Sequence, residues 1–291
     1  ANYVLGGPTA LTNVVTGTDT STGATFSNGT ITARPITVTA NAQAKVYGDS
    51  DPALTYAVSG LVPGDTLTAT LSRASGEAVA GGGYAITQSA VSISDGNSGG
   101  NYQTPSFSGS VLTVTPRPIT VQAQDRRRFY GEANPVTGGV VLTGGSLAFS
   151  DALGDATLAA ASAVATSNAG TTHALTASGV SITDGASPAA SVAGNYTVTY
   201  QSGSLAIDKR PITIAASNQS RVYGDSNPTS ATVSGGLLTV SGAQGLTQGL
   251  VNGDSVTSAA VSAATASSTP SAGSTHPLMP SGAVFGAGCY G

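Results

Sequence analysis

The sequence of 291 residues contains few charges, few aromatics, two histidines and a single cysteine, Cys289. Only 8% of the residues are charged and 5% are aromatic, and tryptophan is absent. The net charge of −4 argues against a nucleic-acid-binding protein, which normally carries a concentrated basic surface. One cysteine excludes an internal disulfide and a cysteine-built zinc site. These shortages argue against an ordinary soluble enzyme, and we expect no catalytic residue, cofactor or metal ion. No apolar run approaches the ~18 residues that a membrane-spanning helix requires, so we expect no transmembrane segment.

The chain instead contains a sequence pattern that occurs three times. The tetrapeptide Arg-Pro-Ile-Thr occurs in all three copies, and a Tyr-Gly pair follows it at the same interval each time. An acidic residue and then a proline come after each pair. The residues of this shared motif are Arg34, Pro35, Tyr47, Gly48, Arg117, Pro118, Tyr130, Gly131, Arg210, Pro211, Tyr223 and Gly224. Since a repeated period marks repeated structural units, the sequence predicts modules at residues 34–116, 117–209 and 210–291.

The modules are predicted to consist mostly of β-strands. Apolar and polar residues alternate with the two-residue period of a half-buried strand after each Arg-Pro. Such runs occupy residues 36–40, 119–123 and 212–215. The fold class is therefore predicted to be mostly β, with tandem small modules in an elongated array. Each module is predicted to be β-grasp-like, with an Ig-like sandwich as the alternative. Residues 151–164, which are rich in alanine and leucine, predict one short helix.

The two ends of the chain are expected to complement each other. The third module aligns with the second but stops where the second begins Asn195-Tyr196 and its closing strands. Residues 1–33 begin with Asn2-Tyr3 and end like a closing strand, as the last strands of a preceding module would. Two explanations stay open: the chain is an excerpt of a longer repetitive polypeptide, or residues 1–33 act as a donor segment that completes the third module of another molecule. The second explanation predicts head-to-tail filaments.

Several ordered motifs resemble those of a known family. They are Arg-Pro-Ile-Thr-Val, Tyr-Gly-Asp-Ser-Asp-Pro at 47–52, Ser-Gly-Leu-Val-Pro-Gly-Asp at 59–65, Gly-Asn-Tyr at 100–102 and Phe-Ser-Gly-Ser-Val-Leu-Thr-Val at 107–114. Together they resemble the MBG and YDG-type repeats of large bacterial surface proteins, such as filamentous-haemagglutinin-like adhesins. The resemblance covers nearly the whole chain. It implies an extracellular, mostly β stalk or adhesive repeat at the bacterial cell surface, without catalysis.

Some residues also allow a binding role. The three motif tyrosines could stack on sugars, although packing over the Tyr-Gly turn is the favoured interpretation. Several acidic and amide side chains could bind Ca²⁺, although ordinary turn roles are favoured. The residues in question are Asp49, Asp51, Asp225, Asn227, Asp95, Asp184, Asn101 and Asn195.

The remaining polar candidates have plain structural interpretations. His173 and His276 stand at equivalent places in two modules, which favours a role in the fold. The basic run Arg126-Arg127-Arg128 could contact an anionic polysaccharide, and a solvated edge strand is the favoured interpretation. Cys289 could join two chains covalently or be buried as a small apolar residue.

The sequence therefore predicts a non-enzymatic structural or adhesive repeat segment. Its expected partners are like modules of the same or neighbouring chains, and host or matrix glycans. The alternative is a glycan- or calcium-binding module of an adhesin.

Overall fold

The computed structural model describes residues 32–286 except 187, 233–235, 244–245, 247–248 and 264–270. The chain divides into two compact units, Ala1–Thr115 and Pro116–Gly291. The first unit contains the first predicted repeat, and the second unit contains the other two. In the described part of the chain, the helical elements are two 3-10 turns, Val79–Gly81 and Ala193–Asn195. Tandem β-rich modules are thereby confirmed.

The first repeat consists of two sheets. Its strands are β1 (Thr37–Ala40), β2 (Gln43–Val46), β3 (Tyr56–Ser59), β4 (Thr66–Arg73), β5 (Tyr84–Ser94), β6 (Ser106–Ser108) and β7 (Ser110–Thr115). One sheet has the order β3-β1-β6 and the other the order β2-β7-β5-β4. β1 is antiparallel to β3 and parallel to β6, while β2 is parallel to β7. The first two strands, β1 and β2, therefore belong to different sheets. This arrangement is typical of a sandwich, whereas a β-grasp fold packs a helix against one sheet.

Alternating side chains build the core of the first repeat. Val38 and Ala40 are buried while Thr39 between them is exposed, because successive strand residues point to opposite faces. Ile86 of β5 and Leu112 of β7 are fully buried in the other sheet. The period-two pattern in the sequence therefore reports the buried face directly.

The second repeat keeps the same pairings in one seven-stranded sheet. Its strands are β8 (Arg117–Ala123), β9 (Arg126–Phe129), β10 (Thr137–Gly144), β11 (Ala152–Leu153), β12 (Asp155–Ala159), β13 (Thr172–Ser178), β14 (Ile182–Thr183), β15 (Tyr196–Gln201) and β16 (Gly203–Asp208). The order is β15-β8-β10-β12-β13-β16-β9, with β11 and β14 forming a separate pair. β8 is parallel to β15, and β9 is parallel to β16. β13 also contacts β8 and β15, so the sheet folds over its own buried face.

The helix predicted for residues 151–164 is wrong. Most of its first half forms the strands β11 and β12. Ala156 and Leu158 of β12 are buried while Asp155, Thr157 and Ala159 are exposed, which is a strand period. Alanine and leucine favour helices, but the alternation of buried and exposed positions outweighs that propensity here.

The third repeat has two small sheets. Its strands are β17 (Ile212–Ala216), β18 (Ser230–Thr232), β19 (Leu238–Gly242), β20 (Val256–Ser262) and β21 (Met279–Phe285). β17 pairs with β19, and β20 lies between β18 and β21. Ala231, Leu238, Ala259 and Val261 form its buried cluster. In the described residues, β17 has no parallel partner like β6 or β15, and β21 has no partner like β7 or β16.

Candidate functional site

Each Tyr-Gly motif lies in a tight turn, and in the first and second repeats this turn is beside the last strand. The amides of Tyr47 and Tyr130 donate to the carbonyls of Thr115 and Asp208, each at 2.9 Å. Both rings are buried, so neither presents a face to a sugar. Tyr223 is 64% exposed. The sequence motif is the same around all three tyrosines, but the structure buries Tyr47 and Tyr130 and leaves Tyr223 exposed.

A basic residue stands two positions before each motif tyrosine, a recurrence that the sequence interpretation did not use. In the first repeat it is Lys45, whose ammonium contacts Asp51 at 2.7 Å and Glu77 at 2.5 Å. Arg73 contacts the same two carboxylates, at 2.6 and 2.5 Å, and lies over the ring of Tyr84. Two cations and two anions therefore form a closed charge network, which we call the first-repeat ion network.

The ionisation of this network follows from its contacts. Hydrogen bonds from Arg73 and then Lys45 lower the pKa of Asp51 to about 2. Burial alone raises the pKa of Glu77, but hydrogen bonds from Lys45 and Arg73 outweigh it and the net pKa is lowered. Burial likewise lowers the pKa of Lys45, but bonds to Asp51 and Glu77 outweigh it and the pKa is raised. All four groups are therefore charged at neutral pH, and Asp51 is engaged by cations of the chain itself.

Arg128 has the corresponding place in the second repeat. Its guanidinium donates to the Asn134 side chain at 2.8 Å, the Phe129 carbonyl at 3.2 Å and the Val164 carbonyl at 2.7 Å. Arg127 beside it is exposed and pairs with Asp208 at 2.8 Å. The basic run does lie on β9, at the edge of the sheet order. The interpretation as a solvated run is wrong for Arg128, because this side chain is buried. Its hydrogen bonds connect the turn after β9 to the loop that contains Val164.

A second missed feature joins a turn to the start of the closing strands. The Tyr102 hydroxyl donates to the Asp65 carboxylate at 2.5 Å and accepts from the Val62 amide at 2.9 Å. Burial, followed by the bond to Asp65, raises the pKa of Tyr102. The signal was present in the sequence, because Asn-Tyr precedes the closing strands of both complete repeats.

The second repeat builds the same arrangement. The Tyr196 hydroxyl donates to Asp151 at 2.5 Å and accepts from the Ala148 amide at 2.9 Å. We call residues 62–65 and 148–151 the tyrosine-binding turns, and residues 251–254 of the third repeat have the same backbone closure, from the Asp254 amide to the Val251 carbonyl.

Two of the three Arg-Pro arginines bind the loops that precede residues 148–151 and 251–254. Arg117 donates to the carbonyl and hydroxyl of Ser146, at 2.8 and 2.9 Å. Arg210 donates to the Gly249 carbonyl at 3.1 Å and to the Tyr130 carbonyl at 3.2 Å. The last bond joins the Arg-Pro motif of the third repeat to the Tyr-Gly motif of the second.

Two further contacts complete this joint. The Asn252 amide donates to the Ala165 carbonyl at 3.1 Å. Gly131 has φ +82°, and a Cβ on it would meet the side chain of Val251. The repeat motifs are therefore joint residues between the second and third repeats as well as turn residues.

A comparison with family models identifies these repeats. The model described as MBG domain (YGX type) matches residues 36–113, 119–206 and 212–286. The chain belongs to the MBG domain (YGX type) family. No curated protein and no solved structure matches it.

The acidic loops of the MBG domains bind backbone amides. One oxygen of Asp95 accepts from the amides of Asn97 and Gly99, each at 2.8 Å, and the other accepts from Asn101 at 3.2 Å. The Gly99 amide is the main cause of a lowered pKa at Asp95. Asp184 accepts from Ala190 and Ala186 in the same way. Amide donors are the opposite of calcium ligands, so these loops are Asx-type turns.

Other candidates for binding are placed as follows. In the described part of the chain, no three His, Cys, Asp or Glu side chains cluster as a metal site would require. No helix in that part is long and apolar enough to cross a membrane. His173 bonds to the hydroxyls of Ser162 and Thr171, each at 3.1 Å. Cys289 and residues 1–31 of the predicted donor segment 1–33 lie outside the described residues.

Two cavities flank the third MBG domain. One of about 590 Å³ is lined by polar residues around Tyr223, including Asn218, Gln219, Asn227 and His276. The other, of about 270 Å³, lies at the joint with the second domain. Arg210, Ile212, Val251, Asp254 and Phe285 line it together with Tyr130. Both cavities lie beside the strands that have fewer partners than their counterparts.

Proposed function

We propose that the chain is a non-enzymatic structural segment of a large bacterial surface or filament protein, of the filamentous-haemagglutinin-like adhesin kind, that functions outside the cell. Tandem MBG domains support this proposal, since repeats of this kind are typical of the repeat regions of surface proteins. The observation that supports it most directly is the hydrogen bond from Arg210 to the Tyr130 carbonyl, because it connects the Arg-Pro motif of one repeat to the Tyr-Gly motif of the preceding repeat. A linear array connected by short joints transmits force along the chain.

Pulling a single molecule by its ends tests the mechanical role. Each MBG domain is expected to unfold in a separate step that lengthens the chain by about 250–300 Å, since an extended residue spans about 3.4 Å. Unfolding of the chain in one step, or with no measurable resistance, would contradict the proposal. Antibody labelling of intact producing cells tests the location, and labelling only after lysis would refute it.

We also propose that the third domain is completed by strand donation from residues 1–33 of a second copy, which produces head-to-tail filaments. The support is the pairing difference: β8 has partners on both sides, and β17 has one partner in the described residues. Sedimentation across a wide concentration range tests it. The full chain should form growing oligomers and the chain lacking residues 1–33 should not. A monomeric full chain at millimolar concentration would contradict strand donation.

A second candidate function, glycan binding, has one observation in its favour. Exposed Tyr223 borders the polar cavity of about 590 Å³, as an aromatic platform for a sugar ring would. A glycan array with the full chain and its Tyr223→Ala variant tests this role. Binding that disappears in the variant supports it, and an array without hits excludes it.

A further inference from the structure

A tyrosine hydroxyl caps the edge strand β4 of the first MBG domain. β4 ends the order β2-β7-β5-β4, so among the described residues β5 is its one strand partner. The hydroxyl of Tyr56, from β3 of the other sheet, donates to the Leu67 carbonyl at 3.3 Å and accepts from the Ala69 amide at 3.0 Å. Both backbone groups therefore point away from β5, and Tyr56 occupies the edge at which another strand would add.

The second domain closes the same edge with a strand. Tyr56 and Val140 stand at equivalent positions, because each pairs with the last residue of its domain's opening strand. β12 pairs with β13 as β4 pairs with β5, and residues 137–139 pair with the outer side of β12. In the first domain, the corresponding residues 53–55 lie outside the strands. The tyrosine hydroxyl therefore replaces the backbone bonds that the second domain makes at this edge.

β4 has the sequence of a strand that can pair with itself. Residues 66–72 read Thr-Leu-Thr-Ala-Thr-Leu-Ser, which is almost the same in both directions about Ala69. The segment contains no charge, proline or glycine, and alternate positions are mostly threonine, which favours β-strands. Its hydroxyl side chains are exposed, and the residues between them are half-buried. An uncharged edge strand of this kind is prone to pair with a second copy of itself.

The two groups that Tyr56 binds are groups that such a pair needs. In an antiparallel pair about a two-fold axis at Ala69, the two Ala69 residues exchange both of their backbone hydrogen bonds. Leu67 exchanges its bonds with Leu71 of the second copy. The Ala69 amide and the Leu67 carbonyl take part in these bonds, and both are bound to the Tyr56 hydroxyl. Tyr56 and a second β4 therefore compete for the same two groups.

We infer that Tyr56 is a guard residue, which keeps the first MBG domain from pairing with a second copy of the chain through β4. The occupant that it excludes is β4 of that copy, antiparallel about Ala69. The guard matters most in the repeat array proposed above, where like domains lie close together and unguarded strand edges associate. The contact itself is independent of strand donation, because it lies within the first domain.

Disulfide trapping tests the pairing at the level of single residues. Cys289→Ser removes the one thiol of the chain, and Thr68→Cys or Thr70→Cys then introduces one at an exposed position of β4. In the inferred pair, positions 68 and 70 are directly opposite, with Cβ atoms about 5 Å apart, whereas two copies of either position are about 7 Å apart. When the edge is open, an equal mixture of the two full-length variants should therefore cross-link about tenfold faster than either variant alone.

Two substitutions at position 56 open the edge. Tyr56→Val introduces the residue that the second domain has there and removes the ring with its hydroxyl, while Tyr56→Phe removes the hydroxyl alone. In both backgrounds the mixture should cross-link about tenfold faster than it does with Tyr56 in place. Tyr84→Phe is the matched control, because the Tyr84 hydroxyl donates to the Ala78 carbonyl, which lies outside the strands. This control should leave the rate of cross-linking unchanged.

Hydrogen exchange of the Ala69 amide provides a second measurement. In dilute Tyr56→Phe this amide should exchange about fivefold faster than in the wild type, because it has lost its acceptor. In concentrated samples, pairing of β4 should slow the exchange again. Methyl NMR signals of Ile86 and Leu112 verify that each variant stays folded.

Each other outcome contradicts a definite part of the inference. Fast cross-linking of the mixture with Tyr56 in place would overturn the guard role. Slow cross-linking in both Tyr56→Val and Tyr56→Phe would overturn the pairing of β4 with itself. Fast cross-linking in Tyr56→Val alone, or unchanged exchange of the Ala69 amide in Tyr56→Phe, would assign the exclusion to the ring and overturn the role of the hydroxyl.

Discussion

Asp51→Asn should destabilise the first MBG domain at neutral pH and have a smaller effect in acid. Asp51 bridges Lys45 and Arg73 in the first-repeat ion network, and its pKa is lowered from 3.8 to about 2. Without solvent screening, this lowering corresponds to about 2.4 kcal/mol of unfolding free energy. The side chain is 40% exposed. Since screening weakens exposed pairs, we expect a loss of about 1 kcal/mol.

The pH dependence follows from the sign of the pKa change. Asp51 is a stronger acid in the folded state, so its stabilisation is complete above about pH 5 and is lost as the pH falls through about 2. The variant should therefore differ from the wild type by about 1 kcal/mol at pH 6 and by less than half of that at pH 2.5. The second domain has Asn134 at the equivalent position, so its unfolding free energy should not show this particular decrease in acid.

Urea unfolding at the two pH values provides the measurement. Methyl NMR signals of Ile86 and Leu112, both fully buried in the first domain, report on that domain separately from the rest of the chain. Asp225→Asn is the matched control, because it changes an exposed turn carboxylate of the third domain. An equal loss of stability at pH 6 and pH 2.5 would refute the charge argument and leave only a packing or hydrogen-bond effect.

Two further changes test the turn and joint residues, each by urea unfolding followed by circular dichroism. Gly131→Ala should cost more than Gly224→Ala, because both glycines have positive φ but only Gly131 packs against Val251. We expect about 1 kcal/mol for the backbone strain at Gly224 and at least about 1 kcal/mol more at Gly131, with the excess reduced by Val251→Ala. Arg128→Met should cost about 2 kcal/mol, since it leaves buried acceptors without a donor, while Arg127→Met on the exposed side should cost under about 0.5 kcal/mol. Equal losses of stability for the two glycine variants would contradict the packing of Gly131 against Val251. Equal losses for the two arginine variants would contradict the structural role of buried Arg128.

The strand pattern was predictable because it depends on local periodicity. Alternation at residues 36–40 marks the buried face of β1, and the family resemblance rests on motifs that can be read along the chain. The same logic explains the wrong helix at residues 151–164, where composition favours a helix and the period of burial favours β12. Local patterns decide which residues face the core, and the three MBG repeats follow from their recurrence.

The partners of individual side chains were not predictable, because they come from distant parts of the chain. Tyr102 meets Asp65 and Arg210 meets Tyr130 only after the strands have paired. No sequence spacing distinguishes buried Arg128 from exposed Arg127, since neighbouring strand residues point to opposite faces. The sequence by itself determined a mostly β protein of three MBG repeats. Only the tertiary structure decided that the repeat motifs are turn and joint residues, because pairing between distant strands brings those groups together.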